Sequence, residues 1–284
     1  MKLINLTGDY LNYLRKMTDQ GKTNGDLWQA LCYQQAPEVY DHVYQIYSQI
    51  HTSTDLHQAV FEYMTPGRLE EKLVHTQDLD QRLNSIAGKF KDLGFKWDEE
   101  AINPIYCLVG NGRVDGIVTG FRGGSMFLFA EYLPSDHGLD ILLSHELTHL
   151  IQNQTPSNHI EKPQLGDYLF NEGLAMQMSR VLCPGHEDVA YTMTEDKPDR
   201  WAYVQANFHT IKDLLSSEDP GVIGDYLHMG SLSHQRLGYE MGYFLVGKML
   251  ESKTALEWMY TPRKVIRESI GDYFIHLMEE GDDF

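Results

Sequence analysis

Cysteine is scarce in this sequence. Its three residues, Cys32, Cys107 and Cys183, are widely spaced and odd in number, which excludes a disulfide framework and a cysteine zinc knuckle and leads us to expect a reducing, cytoplasmic setting. Long apolar runs are missing too. No stretch approaches the ~20 residues of a membrane helix, and Met1 to Thr18 places tyrosine, aspartate and arginine where a signal peptide needs an apolar core. No membrane partner is expected. Positive charge is also short, with 23 Lys and Arg against 41 Asp and Glu, a formal net charge of −18. Nucleic acid would be repelled. Basic or unfolded polypeptide would be drawn in at long range, although the same charge also suits a plain solubilising surface.

What is present is a chain of ordinary globular composition, long enough at 284 residues to bury a full core. Within it stands His145-Glu146-Leu147-Thr148-His149. On an α-helix the i, i+4 spacing brings both imidazoles onto one face, where they can hold one zinc ion, and leaves Glu146 near the metal's open position. Thirteen histidines in the chain would give such a pattern by accident in about 4% of shuffled sequences, so the flanks have to support it. Pro134-Ser135-Asp136 supplies a start signal, and from His137 to Gln154 the only glycine is Gly138 and there is no proline. Leu139, Leu142, Leu143, Leu147, Leu150 and Ile151 wrap a broad face, which predicts a helix buried on more than one side.

A catalytic zinc takes three protein ligands and a water, and a carboxylate is a common partner for a histidine pair. Asn171-Glu172-Gly173-Leu174-Ala175 offers Glu172, with twenty-two residues between it and His149, at the opening of a second helical run that stops at Pro184-Gly185. Small Gly173 and Ala175 are expected to let this helix approach the first. With zinc bound to His145, His149 and Glu172, Glu146 becomes the general base for the attacking water.

HELTH followed by NEGLA resembles the gluzincin zinc metallopeptidases, in which two histidines of HExxH and a glutamate from the next helix bind the metal. A closer likeness is to a bacterial family of predicted zinc-dependent proteases that adds a glycine and tyrosine segment, here Arg236-Leu237-Gly238-Tyr239-Glu240-Met241-Gly242-Tyr243. The layout is shared over roughly residues 30 to 275, the specific likeness over these three motifs. It implies a zincin-like fold and peptide hydrolysis, endopeptidase more than aminopeptidase. It also implies an oxyanion donor downstream, for which Tyr239 stands first, with Tyr243 and His234 behind it. Gly238, Gly242 and Gly247 can alternatively be a helix-packing stripe that makes the tyrosines core residues. The interval to Glu172 is longer than in the best-known gluzincins, and Thr155 to Lys162 reads as the loop that absorbs the excess. Met176 stands where many gluzincins carry an aspartate that orients a ligand histidine, leaving Asp140 and Asp167 as candidates for that task.

Upstream of the metal helix the pattern turns to strands. Ile105 to Val109, Asn111-Gly112 and Val114 to Thr119 read as a hairpin. Ser125 to Leu133 is a near-continuous apolar run whose place resembles the gluzincin edge strand, which holds extended substrate backbone. In the large cytosolic gluzincin aminopeptidases a GxMEN segment supplies a glutamate for the substrate amine, and Phe127 occupies that place here. The rest reads as helical: Trp28 to Ile50 and Leu69 to Leu93, interrupted near Pro37 and at Pro66-Gly67, then Trp201 to Leu215, Leu237 to Leu250 and Val265 to Met278. Tyr40, Tyr44 and Tyr47 fall at helical spacing as core or groove residues, and Glu279 to Asp283 reads as a frayed tail. The expected fold is α+β, mostly helical with a small mixed sheet before the HExxH helix. Its simplest division is an N-terminal helical subdomain, 1 to 97, and a catalytic region, 98 to 284. A protein of another class could keep this metal and fold as a polypeptide-binding or chaperone-like module without turnover.

Overall fold

The computed structural model describes residues 1–18, 25–50, 64–97, 104–110, 114–155, 160–192, 199–229 and 236–279. His234, Asn111-Gly112, the side chain of Tyr47 and residues 156–159 of the loop after the HELTH helix lie outside them. The fold is α+β and mostly helical. In chain order it comprises β1 (Leu3–Asn5), α1 (Thr7–Thr18), α2 (Gly25–Leu31), α3 (Pro37–Ile50), α4 (Pro66–Leu73), α5 (Leu79–Asp92), β2 (Ile105–Leu108), β3 (Gly116–Thr119), β4 (Ser125–Phe129) and α6 (Asp136–Gln152). Then follow α7 (Leu165–Leu182), α8 (Asp188–Thr192), α9 (Asp199–Ala206), α10 (Phe208–Leu214), α11 (Pro220–Gly224), α12 (Leu237–Met249), α13 (Ala255–Met259) and α14 (Arg263–Glu279). Two compact units emerge. One comprises Met1–Gly88 with Trp97–Glu146, the other Lys89–Lys96 with Leu147–Phe284. The sheet is therefore grouped with the N-terminal helices.

In the first unit the four strands run in the order β1-β2-β4-β3, with β1, β2 and β4 parallel and β3 antiparallel to β4. The expected hairpin between β2 and β3 is therefore not formed, because β4 stands between them; the antiparallel pair is β3 with β4. β4 is also not the edge. Every residue of β2 and β4 is buried, the condition of parallel strands covered on both faces, which explains their unbroken apolar runs. Tyr106 stacks on Phe127 at 5.3 Å, and Phe121 and His42 of α3 pack against Phe127 as well. The half-buried β3 ends the sheet. Phe129 donates its N–H to the Asp115 carbonyl, so residues 115 and 129 are a hydrogen-bonded pair. By alternation Gly116 and Val118 turn their N–H and C=O groups away from β4, toward the edge. The Gly116 N–H is taken by Asp115 Oδ1 at 3.0 Å.

In the second unit α7 packs chiefly against α12. Gly173 makes this possible, although against a different neighbour from the one expected: a Cβ there would lie 2.1 Å from the Gly242 carbonyl oxygen of α12. Gly242 is just as tight, 2.4 Å from the Leu169 oxygen, and Gly238 and Gly247 complete the stripe against Leu169 and Gln177. The glycines of the EGLA and GYxxGY segments thus meet each other. α7 begins at Leu165, well before Asn171, because Gln164 and Asp167 form a reciprocal capping box. Glu172 consequently sits in mid-helix, where its backbone is fixed. Trp201 to Leu215 forms two helices, α9 and α10, separated by Asn207. No described helix is long and apolar enough to cross a membrane.

Candidate metal centre

Helix α6 carries HELTH in its second half and is buried from Ile141 through Thr148, so its position is dictated by apolar contact all round. His145 is 7% exposed and Glu146 6%. His149, one turn later, is the first partly open position, and its Nε2 lies 3.4 Å from Glu172 Oε2 on α7. One ligand atom from each of His145, His149 and Glu172 can be chosen so that all lie within 4.8 Å of one another, the one such group of three or more among the described residues. This donor set fits zinc. Two imidazoles and a carboxylate are its usual partners, and ligand arms of roughly 2.0–2.1 Å in a tetrahedron put donor atoms roughly 3.3–3.4 Å apart, the separation found between His149 and Glu172.

Glu146 points the other way along the turn, toward the sheet. A Cβ on Gly116 would stand 3.0 Å from Glu146 Cγ and 3.3 Å from its Oε1, so the bare backbone of β3 forms one wall around this carboxylate. The edge strand beside the HELTH helix is thus β3, and the strand that the sequence singled out, β4, is its buried neighbour.

The oxyanion candidates separate. Tyr243 is 1% exposed, and its hydroxyl donates to Asp188 Oδ1 at 2.5 Å while its carbonyl receives Gln177 Nε2. Burial and that acceptor raise the Tyr243 phenol well above its ordinary pKa, and its contacts are those of a packed, tethering residue. Tyr239 is half-buried, with the Arg236 guanidinium 4.9 Å above its ring. The two aspartates considered as orienting groups both serve arginines. Asp140 receives Arg82 at 2.8 Å, and Asp167, 1% exposed, receives Arg267 through both oxygens and the Gln164 N–H. One contact of a candidate ligand was overlooked by the sequence reading: Gln152 Oε1 is 2.9 Å from His149 Nδ1. Its i+3 spacing from His149 was the available signal.

The family model described as Predicted Zn-dependent protease (DUF2268) matches residues 86–268, a stretch that includes HELTH, NEGLA and the glycine and tyrosine segment. No curated protein and no solved structure matches the chain. With well over half of its length matched, the chain belongs to that family, the predicted Zn-dependent proteases of DUF2268.

Proposed function

We propose that this protein is a zinc peptidase of gluzincin type with a zincin-like catalytic region, cleaving peptide bonds within unfolded or extended polypeptide. The observation that carries the reading is the convergence of His145, His149 and Glu172 beside a buried glutamate in the HExxH position. Bound zinc supplies a water acidified toward neutral pH and a Lewis acid for the substrate carbonyl. Glu146 takes the proton from the attacking water and returns it to the leaving amine. The outward N–H and C=O groups of Val118, and the carbonyl of Gly116, are suited to pair with substrate backbone. The Asp115 carboxylate would release the Gly116 N–H for the same purpose. Phe127, buried in the aromatic cluster with Tyr106, cannot serve as the amine anchor of an aminopeptidase, which favours internal cleavage. An intact Glu146 argues against a pure binding module, which has no use for a general base.

The test joins metal analysis to peptide cleavage. One zinc per chain, hydrolysis of a varied peptide library, loss of that activity on chelation and its return with zinc are expected. A protein that binds zinc and peptides without turnover would instead be the chaperone-like module. Glu172→Ala should weaken zinc binding by ~10-fold or more, since it deletes a ligand; competition with a chromophoric chelator reads this, and unchanged affinity would remove Glu172 from the centre. Tyr239→Phe is expected to retain zinc and to lose ~10²-fold in kcat, the effect of one missing oxyanion donor. Full activity in that variant would assign the donor elsewhere.

A further inference from the structure

Gln152 joins the two ligand helices through one amide group. It is 3% exposed, and while its Oε1 faces His149 Nδ1 at 2.9 Å, its Nε2 donates to the backbone carbonyl of Asn171 at 3.3 Å. Asn171 directly precedes Glu172, and its own Oδ1 accepts a hydrogen bond from Arg263 of α14 at 3.0 Å. We infer that Gln152 is a positioning residue that fixes both the tautomer and the ring orientation of His149 toward the metal, through an amide whose own orientation is imposed by the Asn171 carbonyl. The inference rests on the metal centre proposed above.

Donor and acceptor types fix how this amide is turned. A backbone carbonyl only accepts, so the Gln152 NH2 must face Asn171. Turning the amide over would set two carbonyl oxygens against each other. With the NH2 so placed, the oxygen faces His149, and an amide oxygen can only accept. Nδ1 of His149 therefore carries the proton. Nε2 is left with its lone pair directed at the side of the ring where Glu172 Oε2 lies, 3.4 Å away. A histidine protonated on Nε2 would spend that position on a hydrogen bond to the carboxylate and would have to change tautomer before binding metal. The same amide also ties His149 to the residue next to Glu172, so one side chain holds two ligands of the proposed centre in relation to each other. Partners of this kind are worth about 10- to 100-fold in metal affinity elsewhere.

The experiment uses the full chain, labelled with 15N-histidine and freed of metal, with two-bond proton–nitrogen correlation spectra to read each tautomer and Zn2+ competition titrations to read affinity. Wild type should show His149 protonated on Nδ1. Gln152→Leu should shift His149 toward the Nε2–H form and weaken Zn2+ binding by ~10- to 100-fold, whereas Gln152→Glu, which keeps an acceptor at Nδ1 but cannot donate to the Asn171 carbonyl, should retain the tautomer and bind Zn2+ more tightly than Gln152→Leu does. A merely structural role would lower thermal stability in both variants and leave the tautomer unmoved. The inference is overturned if wild-type His149 carries its proton on Nε2, or if Gln152→Leu binds Zn2+ as tightly as wild type. Should Gln152→Leu not fold, the wild-type tautomer and Gln152→Glu decide. A wild type that takes up no Zn2+ overturns the metal centre itself, an outcome distinct from a zinc-binding wild type matched by Gln152→Leu.

Discussion

Glu146→Gln should reduce kcat for peptide hydrolysis by about 10³-fold, within the range expected for loss of a general base, while zinc binds as before. The substitution keeps the shape of a side chain that is 6% exposed, and it adds no volume against Gly116, which approaches Glu146 closely enough to exclude even a methyl group without movement. What it removes is the oxygen that can accept a proton. Because the three proposed ligands are other residues, zinc stoichiometry should stay at that of wild type. Steady-state kinetics on the same peptide, with zinc content measured on the same sample, makes the comparison. If activity survives at full metal content, Glu146 is not the base, and if zinc is lost together with activity, the turn of α6 around His145 has been disturbed and the roles must be reassigned.

Gly242→Ala should destabilise the protein by about 3 kcal/mol or more, at the upper end of overpacking costs. The new methyl would lie 2.4 Å from the Leu169 carbonyl oxygen and against the backbone of Gly173. Neither obstacle is a flexible side chain that could rotate aside. α7 and α12 would have to separate, and their contact forms a large part of the second unit's core, with Leu169, Leu174, Leu245 and Val246 all fully buried. A drop of roughly 5–10 °C in Tm is expected at this size. Zinc affinity should fall with it, because Glu172 adjoins Gly173 on the displaced helix. Gly271→Ala is the matching control: it lies inside α14 with nothing within 4 Å of the added carbon, and alanine there should stabilise by about 0.5–1 kcal/mol. Denaturant unfolding of the two variants side by side checks both signs. Wild-type stability in Gly242→Ala would mean that the helices are not held at this distance.

These outcomes separate what local pattern carries from what it does not. HELTH prescribed its own geometry, because helical spacing alone sets two histidines on one face, and the apolar residues wrapped around α6 foretold a helix buried on nearly every side. Glu172 was legible as a carboxylate at a workable interval, and the glycine stripe of α12 as a packing surface. The start of α7 was misplaced because Gln164 is an uncommon cap; its partner Asp167 completes the box only once the backbone has turned. Asn111-Gly112 suggested a hairpin between neighbours in sequence, yet β2 pairs in parallel with β4, a choice made by burial on both faces and not by the intervening turn.

The sequence by itself determined the α+β class, the helix that bears HELTH and the chemical kind of the proposed ligands, since each follows from residue types at short spacing. Only the tertiary structure decided that β3 is the edge beside Glu146, that Gly173 meets Gly242, that Tyr243 is bound to Asp188, and that Gln152 spans from His149 to Asn171. Those are contacts between segments far apart in the chain. Their partners are selected by complementary shape, burial and donor–acceptor matching across the folded core, which no local periodicity encodes.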